Sequence, residues 1–334
     1  MPGPVRFDVR HEVPSLDHYR RNWTPGPDVG QAGMWLGAVV GDASGADYWA
    51  VRGADDFVLG MTHVVSPVCG FRKLQKGLTA DPSHLFAEYS GIDWYEPFEY
   101  TDTGDSVELL YSSGRFNRDA DGCHWSDASG RWELHGKTVS DVFVVHVPVQ
   151  DGVPDDVYYR HELMFLTGTI EGVEVSGYGH QDYAYGTPGK AYTELPIARS
   201  LQGMWVSWLH EYTDGELGGG CFWQGRGELS FGPGYQFKGD TTTVHDDIVA
   251  TTTFNDANKI TAMDVSIGSD SYAFTFDTNG SPLHVFGKLT ASSSGKEAAR
   301  SWCWVEYEGG MMTPELLDLV LQRFQVARAG GSAR

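Results

Sequence analysis

The fold class of this chain is decided by residues 158–186, which read YYRHELMFLTGTIEGVEVSGYGHQDYAYG. Tyr158–Ile170 and Val173–Gly179 are rich in β-branched and aromatic residues with the spacing of strands. Glu171-Gly172 between them consists of turn-forming residues. We therefore expect two antiparallel strands joined by a tight turn.

Short strand-like runs separated by turns continue over most of the 334 residues, with about fifteen runs in all. Asn279-Gly280, between the runs Ser271–Phe276 and Leu283–Leu289, is a strong hairpin signal. No long stretch alternates strands with helices, which disfavours a dinucleotide-binding α/β fold. The sequence predicts an all-β protein whose antiparallel sheets curl into barrels or sandwiches.

Two helices are predicted besides the strands. The stronger one lies at the C-terminus, where Thr313 is a suitable N-cap and Pro314 a suitable first residue. Its apolar residues share one face, which favours packing on the outside of a barrel over binding a partner: Leu317, Val320, Leu321 and Phe324. A weaker and shorter helix is predicted around Pro82–Tyr89, with a lid or a loop as the alternative.

The strand pattern is interrupted at Thr187-Pro188-Gly189-Lys190 and at Pro196, and it resumes at Gly203. We expect a domain boundary there, which gives an N-terminal β domain over 1–190 and a C-terminal β domain over 191–334. Each half contains an early aromatic strand: Met34-Trp35-Leu36-Gly37 and Met204-Trp205-Val206-Ser207-Trp208. This similarity favours two related barrels in tandem.

Charge and cysteine content disfavour several classes of partner. The chain has 45 acidic and 24 basic residues, and its net charge of −21 argues against nucleic-acid binding. No run of about 18 apolar residues occurs, so we expect no membrane insertion. Four cysteines with separations of 54, 98 and 82 residues indicate free, mostly buried thiols. With no secretory signal expected at the N-terminus, the predicted location is the cytoplasm.

The motifs of the common cofactor and hydrolase classes are not found. The sequence contains no Walker-type Gly-x-x-x-x-Gly-Lys, no His-Glu-x-x-His, no Gly-x-Ser-x-Gly and no helix-opening Gly-x-Gly-x-x-Gly. We therefore expect neither an organic cofactor nor a metal. His124, His135 and His146 are eleven residues apart, which is no ligand spacing on one strand, but a metal site assembled across strands stays open.

Residues 177–186 form the densest polar and aromatic segment. On an extended chain His180 and Asp182 point to one side, whereas Gln181, Tyr183 and Tyr185 point to the other. A histidine and an aspartate on one face can form a tuned acid–base pair. The alternative is a pair that braces the junction between the two domains through hydrogen bonds.

The same ten residues resemble the signature G-x-G-x-x-D-x-S-W-G, which closes the first half of tandem lipocalin-like proteins. That superfamily includes carotenoid 1,2-hydratases (hydroxyneurosporene synthases) and Diels–Alderase-type cyclases. Ala184 and Tyr185 depart from the signature, which has Ser and Trp there. The resemblance implies a ligand cavity near the contact of the two halves, and it carries over these positions: Gly177, Gly179, His180, Asp182, Tyr185 and Gly186.

Aromatic side chains elsewhere are candidates for lining this cavity. His161 shares a face with apolar residues and is expected to point into a barrel, with a core histidine as the alternative. The acidic and aromatic stretch 88–100 is either a loop at the cavity rim or an ordinary solvated loop. The predicted substrate-binding residues are Trp94, Tyr95, His161, Tyr183, Trp205, Trp208, Trp223 and Trp304.

Together these observations predict a cofactor-independent enzyme that acts on a hydrophobic small molecule such as a terpenoid, steroid, polyketide or lipid. Its chemistry would be hydration or dehydration, isomerisation or cyclisation, with Asp182, His180 and Tyr185 as catalytic residues. The alternative is a carrier that binds an apolar ligand without changing it. The chain is expected to be a monomer or a homodimer.

Overall fold

The computed structural model describes residues 4–45, 47–54, 63–66, 70–72, 98–111, 114–128, 130, 132–277 and 285–308, together with 314, 315, 318 and 322. Most of these residues lie in antiparallel strands of two sheets. The predicted all-β class is confirmed, and two curled antiparallel sheets are consistent with two tandem barrels.

The first sheet contains thirteen strands, numbered here in chain order. Eleven of them are neighbours in the order β5-β4-β3-β2-β13-β12-β10-β9-β8-β7-β6, while β11 pairs with β12 and β1. The strands are β1 (Asp8–Glu12), β2 (Gly30–Asp42), β3 (Asp47–Ala54), β4 (His63–Ser66), β5 (Gly70–Arg72), β6 (Phe98–Asp102), β7 (Val107–Tyr111), β8 (Gly114–Arg118), β9 (Gly122–Asp127), β10 (Trp132–Thr138), β11 (Val142–Val147), β12 (Val157–Ile170) and β13 (Val173–Gly186).

The second sheet contains nine strands in the order β17-β16-β15-β14-β22-β21-β20-β19-β18. Its strands are β14 (Gln202–Tyr212), β15 (Leu217–Gly225), β16 (Gly234–Lys238), β17 (Thr241–His245), β18 (Val249–Phe254), β19 (Ile260–Ile267), β20 (Asp270–Asp277), β21 (Val285–Ser292) and β22 (Ala298–Tyr307). The strands β20 and β21 pair as Asn279-Gly280 predicts, although this turn itself lies outside the described residues.

Helices are few in the described part of the chain. A 3-10 helix spans Leu16–Tyr19, and a second 3-10 helix and a π-helix lie between the two sheets at Tyr192–Glu194 and Ile197–Leu201. Of the predicted C-terminal helix, the described residues 314, 315, 318 and 322 are helical; the predicted helix at Pro82–Tyr89 lies outside the described residues. Among the described helices, none is long and apolar enough to cross a membrane.

The cysteines that the structure describes are free thiols. Cys221 and Cys303 are buried, and burial raises the pKa of each thiol well above its usual value. Cys123 is half-buried, and burial raises the pKa of its thiol to about 11. Cys69 lies outside the described residues.

The hairpin β12–β13 lies at the centre of the first sheet. Glu171 and Gly172 have φ angles of 52° and 78°, the left-handed pair that a two-residue hairpin turn requires. β13 continues to Gly186, seven residues beyond the end that the sequence predicts. The reason is that its backbone is paired on both sides, with β12 and with β2, so its polar side chains do not end the strand.

Alternation along β13 divides its side chains between two apolar layers. Tyr183 and Tyr185 lie in a core made of first-sheet residues, such as Leu36 and Met164. Tyr178 and Ala184 instead lie in a layer to which both sheets contribute. The second sheet has a core of its own, around Trp208, Phe222 and Phe274. The even-numbered polar residues of β13 therefore face the layer between the sheets.

The first-sheet core contains a buried ion pair that we expect to matter for stability. Arg118 Nη2 donates to Glu162 Oε2 at 2.8 Å, and the Tyr19 hydroxyl donates to the same oxygen at 2.5 Å. Removing one partner of such a pair leaves an uncompensated buried charge, at a cost of roughly 3–5 kcal/mol. Glu162→Gln should lower the free energy of unfolding by about 3 kcal/mol in urea titrations.

The matched control is Glu216→Gln, which removes one carboxylate from the half-exposed pair with Lys296. Exposed pairs contribute only about 0–1 kcal/mol. Equal losses for Glu162→Gln and Glu216→Gln would contradict the importance assigned to the buried pair.

Candidate active site

His180 and Asp182 lie side by side on the face of β13 that the second sheet covers. On the neighbouring β12, His161 is directly opposite Asp182, and Tyr159 is opposite Ala184. Directly opposite residues of antiparallel strands point to the same side of a sheet. One face of the hairpin thus presents two imidazoles, a carboxyl group and a phenol to the layer between the sheets.

A directed chain of hydrogen bonds ends on Asp182. Trp205 Nε1 donates to the Tyr159 hydroxyl at 2.7 Å, and this hydroxyl donates to Asp182 Oδ2 at 2.8 Å. The indole N–H can only donate, so it directs the hydroxyl proton of Tyr159 towards the carboxyl group. Oδ2 is therefore an acceptor. The other oxygen, Oδ1, has no hydrogen bond to the described residues and lies 3.6 Å from His180 Nε2.

The surroundings of Asp182 favour its neutral form. Burial raises the pKa of Asp182 well above its usual value, and the nearby charge of Glu306 acts in the same direction. The hydrogen bond from Tyr159 lowers the pKa but does not reverse the shift. Because Oδ2 accepts from Tyr159, the proton of the neutral carboxyl belongs on Oδ1. A carboxylic acid held in its neutral form is suited to donate a proton.

His180 is enclosed by aromatic rings and depends on a glycine for its position. Its ring centroid lies 5.1 Å from that of Trp205 and 5.0 Å from that of Trp304. Gly37 on β2 is directly opposite His180. A Cβ atom at Gly37 would overlap the imidazole and lie 2.6 Å from Cζ3 of Trp304. Sequence reasoning missed Gly37, although a glycine inside a strand often marks such a close approach.

Asp182 is the less deeply buried member of the pair. Its side chain is 10% exposed, whereas that of His180 is 3% exposed. Trp35 is directly opposite Asp182 on β2, and its ring packs edge-on against Tyr192 at 4.8 Å. The charge of Glu306 affects the pKa of both Asp182 and Tyr192. Trp35, Tyr192 and Glu306 therefore lie near the carboxyl group of Asp182, and none of them is among the substrate-binding residues predicted from the sequence.

His161 differs from the expectation that it points into a barrel. It faces the layer between the sheets, and both of its ring nitrogens contact the second sheet: Nδ1 lies 3.0 Å from the Tyr235 hydroxyl and Nε2 lies 3.3 Å from Ser207 Oγ. Burial lowers the pKa of His161 well below its usual value, with His180 acting in the same direction. A histidine whose two ring nitrogens both contact the second sheet joins the two sheets, and this placement favours the alternative of a core histidine.

The predicted tryptophans that the structure describes do not all lie at the His180–Asp182 pair. Trp205 and Trp304 lie against His180, while Trp223 packs on Tyr159 at 4.3 Å. Trp208 packs within the core of the second sheet, against Phe222 and other rings, and it does not reach the pair. Trp94 and Tyr95 lie outside the described residues.

Tyr183 and Tyr185 lie on the opposite face of β13 from Asp182, in the core of the first sheet. Tyr183 lies under the guanidinium of Arg160 at 3.9 Å, and Tyr185 packs against Trp23 at 5.9 Å. The structure therefore does not bring Tyr185, the third predicted catalytic residue, together with Asp182 and His180. The alternation of side chains along the paired strand β13 places the two residues on different sides of the sheet.

One group of described residues has the composition of a metal site. His124, Glu133 and His135 bring their ligand atoms within 4.8 Å of one another. They lie on β9 and β10, on the surface of the first sheet, and not in the layer that holds Asp182.

Comparisons with known proteins add little to this site. The sequence matches no family model, and no curated protein is similar to it in sequence. In structure the chain is similar to a "putative AttH" from Nitrosomonas europaea, with 11% identity and a TM-score of 0.42, over 82% of this chain and 91% of that chain. It is also similar to kievitone hydratase from Nectria haematococca, with 6% identity and a TM-score of 0.38, over 83% and 89%. Both TM-scores are below 0.5, so neither similarity indicates a function or a site in this chain.

Gly37→Ala tests the packing of His180. The added methyl group overlaps the imidazole, and overpacking of this kind costs roughly 1–3 kcal/mol of the free energy of unfolding. In a His180→Ala background the same substitution should cost less, because the overlap with the imidazole is gone and the ring of Trp304, the other close neighbour, can move into the vacated space. Urea unfolding of the two single variants and the double variant measures this coupling. Additive effects would contradict the contact.

The raised pKa of Asp182 predicts how the free energy of unfolding depends on pH. The folded protein keeps this proton to a higher pH than the unfolded chain, whose aspartate titrates near about 4. Between these two pKa values the folded state binds more protons, so its stability falls as the pH rises. Asp182→Asn removes the ionisable carboxyl group and therefore removes this fall in stability with rising pH. Its free energy of unfolding, relative to the unsubstituted protein, should therefore increase as the pH is raised from about 4 towards 8.

Asp214→Asn is the control, at an exposed carboxylate whose pKa is lowered by Lys296. It should show no such increase. Stability curves of Asp182→Asn and the unsubstituted protein that run parallel over this pH range would contradict the raised pKa.

Proposed function

We propose that this chain is a cofactor-independent enzyme that protonates a hydrophobic small molecule, with Asp182 as the general acid. The observation that carries the proposal is the asymmetry of the carboxyl group. Oδ2 accepts the hydrogen bond from Tyr159, while Oδ1 is left to carry a proton beside His180 Nε2. A structural carboxylate would gain more from hydrogen bonds to both oxygens.

Hydration is the reaction that uses all of these groups. Asp182 Oδ1–H transfers its proton to one carbon of a C=C bond, and a cation develops at the other carbon. The indole faces of Trp205 and Trp304 are placed to stabilise positive charge in this layer. A water molecule adds to the cation, its proton passes to His180 Nε2, and transfer to Oδ1 restores the acid.

Isomerisation and cyclisation would begin with the same protonation. In isomerisation the cation loses a different proton to the Asp182 carboxylate, which shifts the double bond. In cyclisation a second C=C bond of the substrate attacks the cation before the proton is lost. All three reactions need one acid, an aromatic enclosure and no redox group.

The surroundings of Asp182 favour an uncharged, apolar substrate. Trp35 and Tyr192 offer aromatic surface beside the carboxyl group, and Glu306 would repel an anion. The candidate classes are terpenoids, steroids, polyketides and lipid-like compounds that contain an electron-rich double bond.

A carrier is the second candidate. The hydrogen bonds from Trp205 through Tyr159 to Asp182 connect the two sheets, which is also what a structural brace would do. A carrier would bind the same apolar molecules and release them unchanged. The two functions differ in whether the ionisable carboxyl of Asp182 matters for chemistry or only for stability.

We expect Asp182→Asn to lower the turnover rate by about 10²–10⁴-fold, the range typical of general acids. Substrates are found by native mass spectrometry of ligands that co-purify with the protein, followed by incubation in H₂¹⁸O and D₂O. Hydration incorporates the oxygen isotope, whereas isomerisation or cyclisation incorporates only deuterium. Melting temperature and turnover are measured on the same preparation.

Tyr185→Phe is the matched control, because Tyr185 lies on the opposite face of β13 and should leave the rate unchanged. An Asp182→Asn variant with full turnover would end the catalytic assignment. Ligands recovered without isotope after incubation with folded protein would favour the carrier.

A further inference from the structure

A cluster of two histidines and one glutamate lies on the surface of the first sheet. His124 on β9 and His135 on β10 are directly opposite each other, and their rings are stacked with centroids 4.5 Å apart. Glu133 precedes His135 by two residues and so points to the same side of β10. The neighbours Trp125, Trp132 and Leu134 point the other way, into the core of the first sheet.

The ligand atoms of this cluster are already near the spacing that a metal ion needs. Glu133 Oε1 lies 3.3 Å from His124 Nε2 and 3.5 Å from His135 Nε2. Ligands at about 2.0–2.2 Å from a tetrahedral zinc ion are about 3.4 Å apart. The carboxylate oxygen therefore stands at ligand distance from both imidazole nitrogens, and rotation of exposed side chains can complete the geometry.

His124 Nε2 is the atom that most needs a partner here. It is buried, yet it makes no hydrogen bond of normal geometry within the part of the chain that the structure describes. Its approach to Glu133 is close in distance only. A buried ring nitrogen that faces a carboxylate and a second imidazole is satisfied by a cation between the three groups.

We propose that His124, Glu133 and His135 bind a divalent transition-metal ion, with Zn²⁺ as the reference ion. Two imidazole nitrogens and one carboxylate oxygen suit zinc, copper or nickel, whereas Mg²⁺ and Ca²⁺ need a set of oxygen ligands. Three protein ligands leave a fourth position for water. This site is separate from Asp182 and departs from the expectation that the protein binds no metal.

The spacing of the histidines explains why sequence motifs do not find this site. Two histidines eleven residues apart on a single strand, as His124 and His135 would be, cannot bind the same ion. In the hairpin β9–β10, however, the register pairs His124 with His135, so this spacing places the two rings face to face. The same ion would therefore connect two neighbouring strands and stabilise the hairpin that they form.

Isothermal titration calorimetry of the full chain with ZnCl₂, after treatment with a chelator, tests the proposal. We expect one equivalent of zinc to bind, and His135→Ala and Glu133→Gln each to weaken this binding at least about tenfold. Zinc should also raise the melting temperature of the unsubstituted protein, because it binds the folded state. MgCl₂ at the same concentration should change neither quantity.

The control is His11→Ala, at an exposed histidine that pairs with a single carboxylate, Asp141, at 2.7 Å. It should bind zinc as the unsubstituted protein does. The melting temperature of each metal-free variant shows whether it is folded, and His124→Gln supplements His135→Ala if the latter is not. Zinc binding that persists in the folded His124→Gln/His135→Ala double variant, or no zinc binding by the unsubstituted protein, would overturn the proposal.

Discussion

β13 is hydrogen-bonded to β12 on one side and to β2 on the other over nearly its whole length, and this double pairing determines where each side chain of the candidate site points. A shift of β13 by one residue in register would turn all of its side chains to the other face of the sheet. Pairing with a neighbour on both sides prevents such a shift. His180 and Asp182 are thereby fixed towards the second sheet. Tyr183 and Tyr185 are fixed towards the interior of the first.

The second sheet contributes the other half of the site's chemistry. Trp205 supplies the N–H that directs the proton of Tyr159, and Trp304 covers the imidazole of His180. Burial between the sheets is also the main cause of the raised pKa of Asp182. An acid at this position thus depends on the contact between the two sheets, because neither sheet alone would exclude water from the carboxyl group.

Much of the architecture can be predicted from the sequence, since strand period and turn residues are local signals. Glu171-Gly172 predicts its hairpin because two left-handed residues in succession favour that turn. The predicted end of β13 at Gly179 is wrong because pairing on both sides, a non-local property, sustains a glycine-rich and polar strand.

The site itself is predicted only in part. The alternation of side chains along β13 places Tyr185 and Asp182 on opposite faces of the sheet. The motif that suggested Tyr185 does not say on which face of the strand a residue lies. Tyr159 shares a face with His161 in the sequence pattern, so a signal for it existed. For Gly37 the sequence offers only the general signal of a glycine inside a strand, because its contact with His180 depends on the register between β2 and β13.

In the folded protein Asp182 should keep its proton at a pH at which an ordinary aspartate is already ionised. Infrared difference spectroscopy of the carboxyl C=O stretch measures this state directly, with Asp182→Asn as the reference. We expect a band of a protonated carboxyl group above the pH range in which aspartate usually titrates, and we expect it to disappear in the folded Asp182→Asn protein. A spectrum in which this substitution removes only a carboxylate band would contradict it.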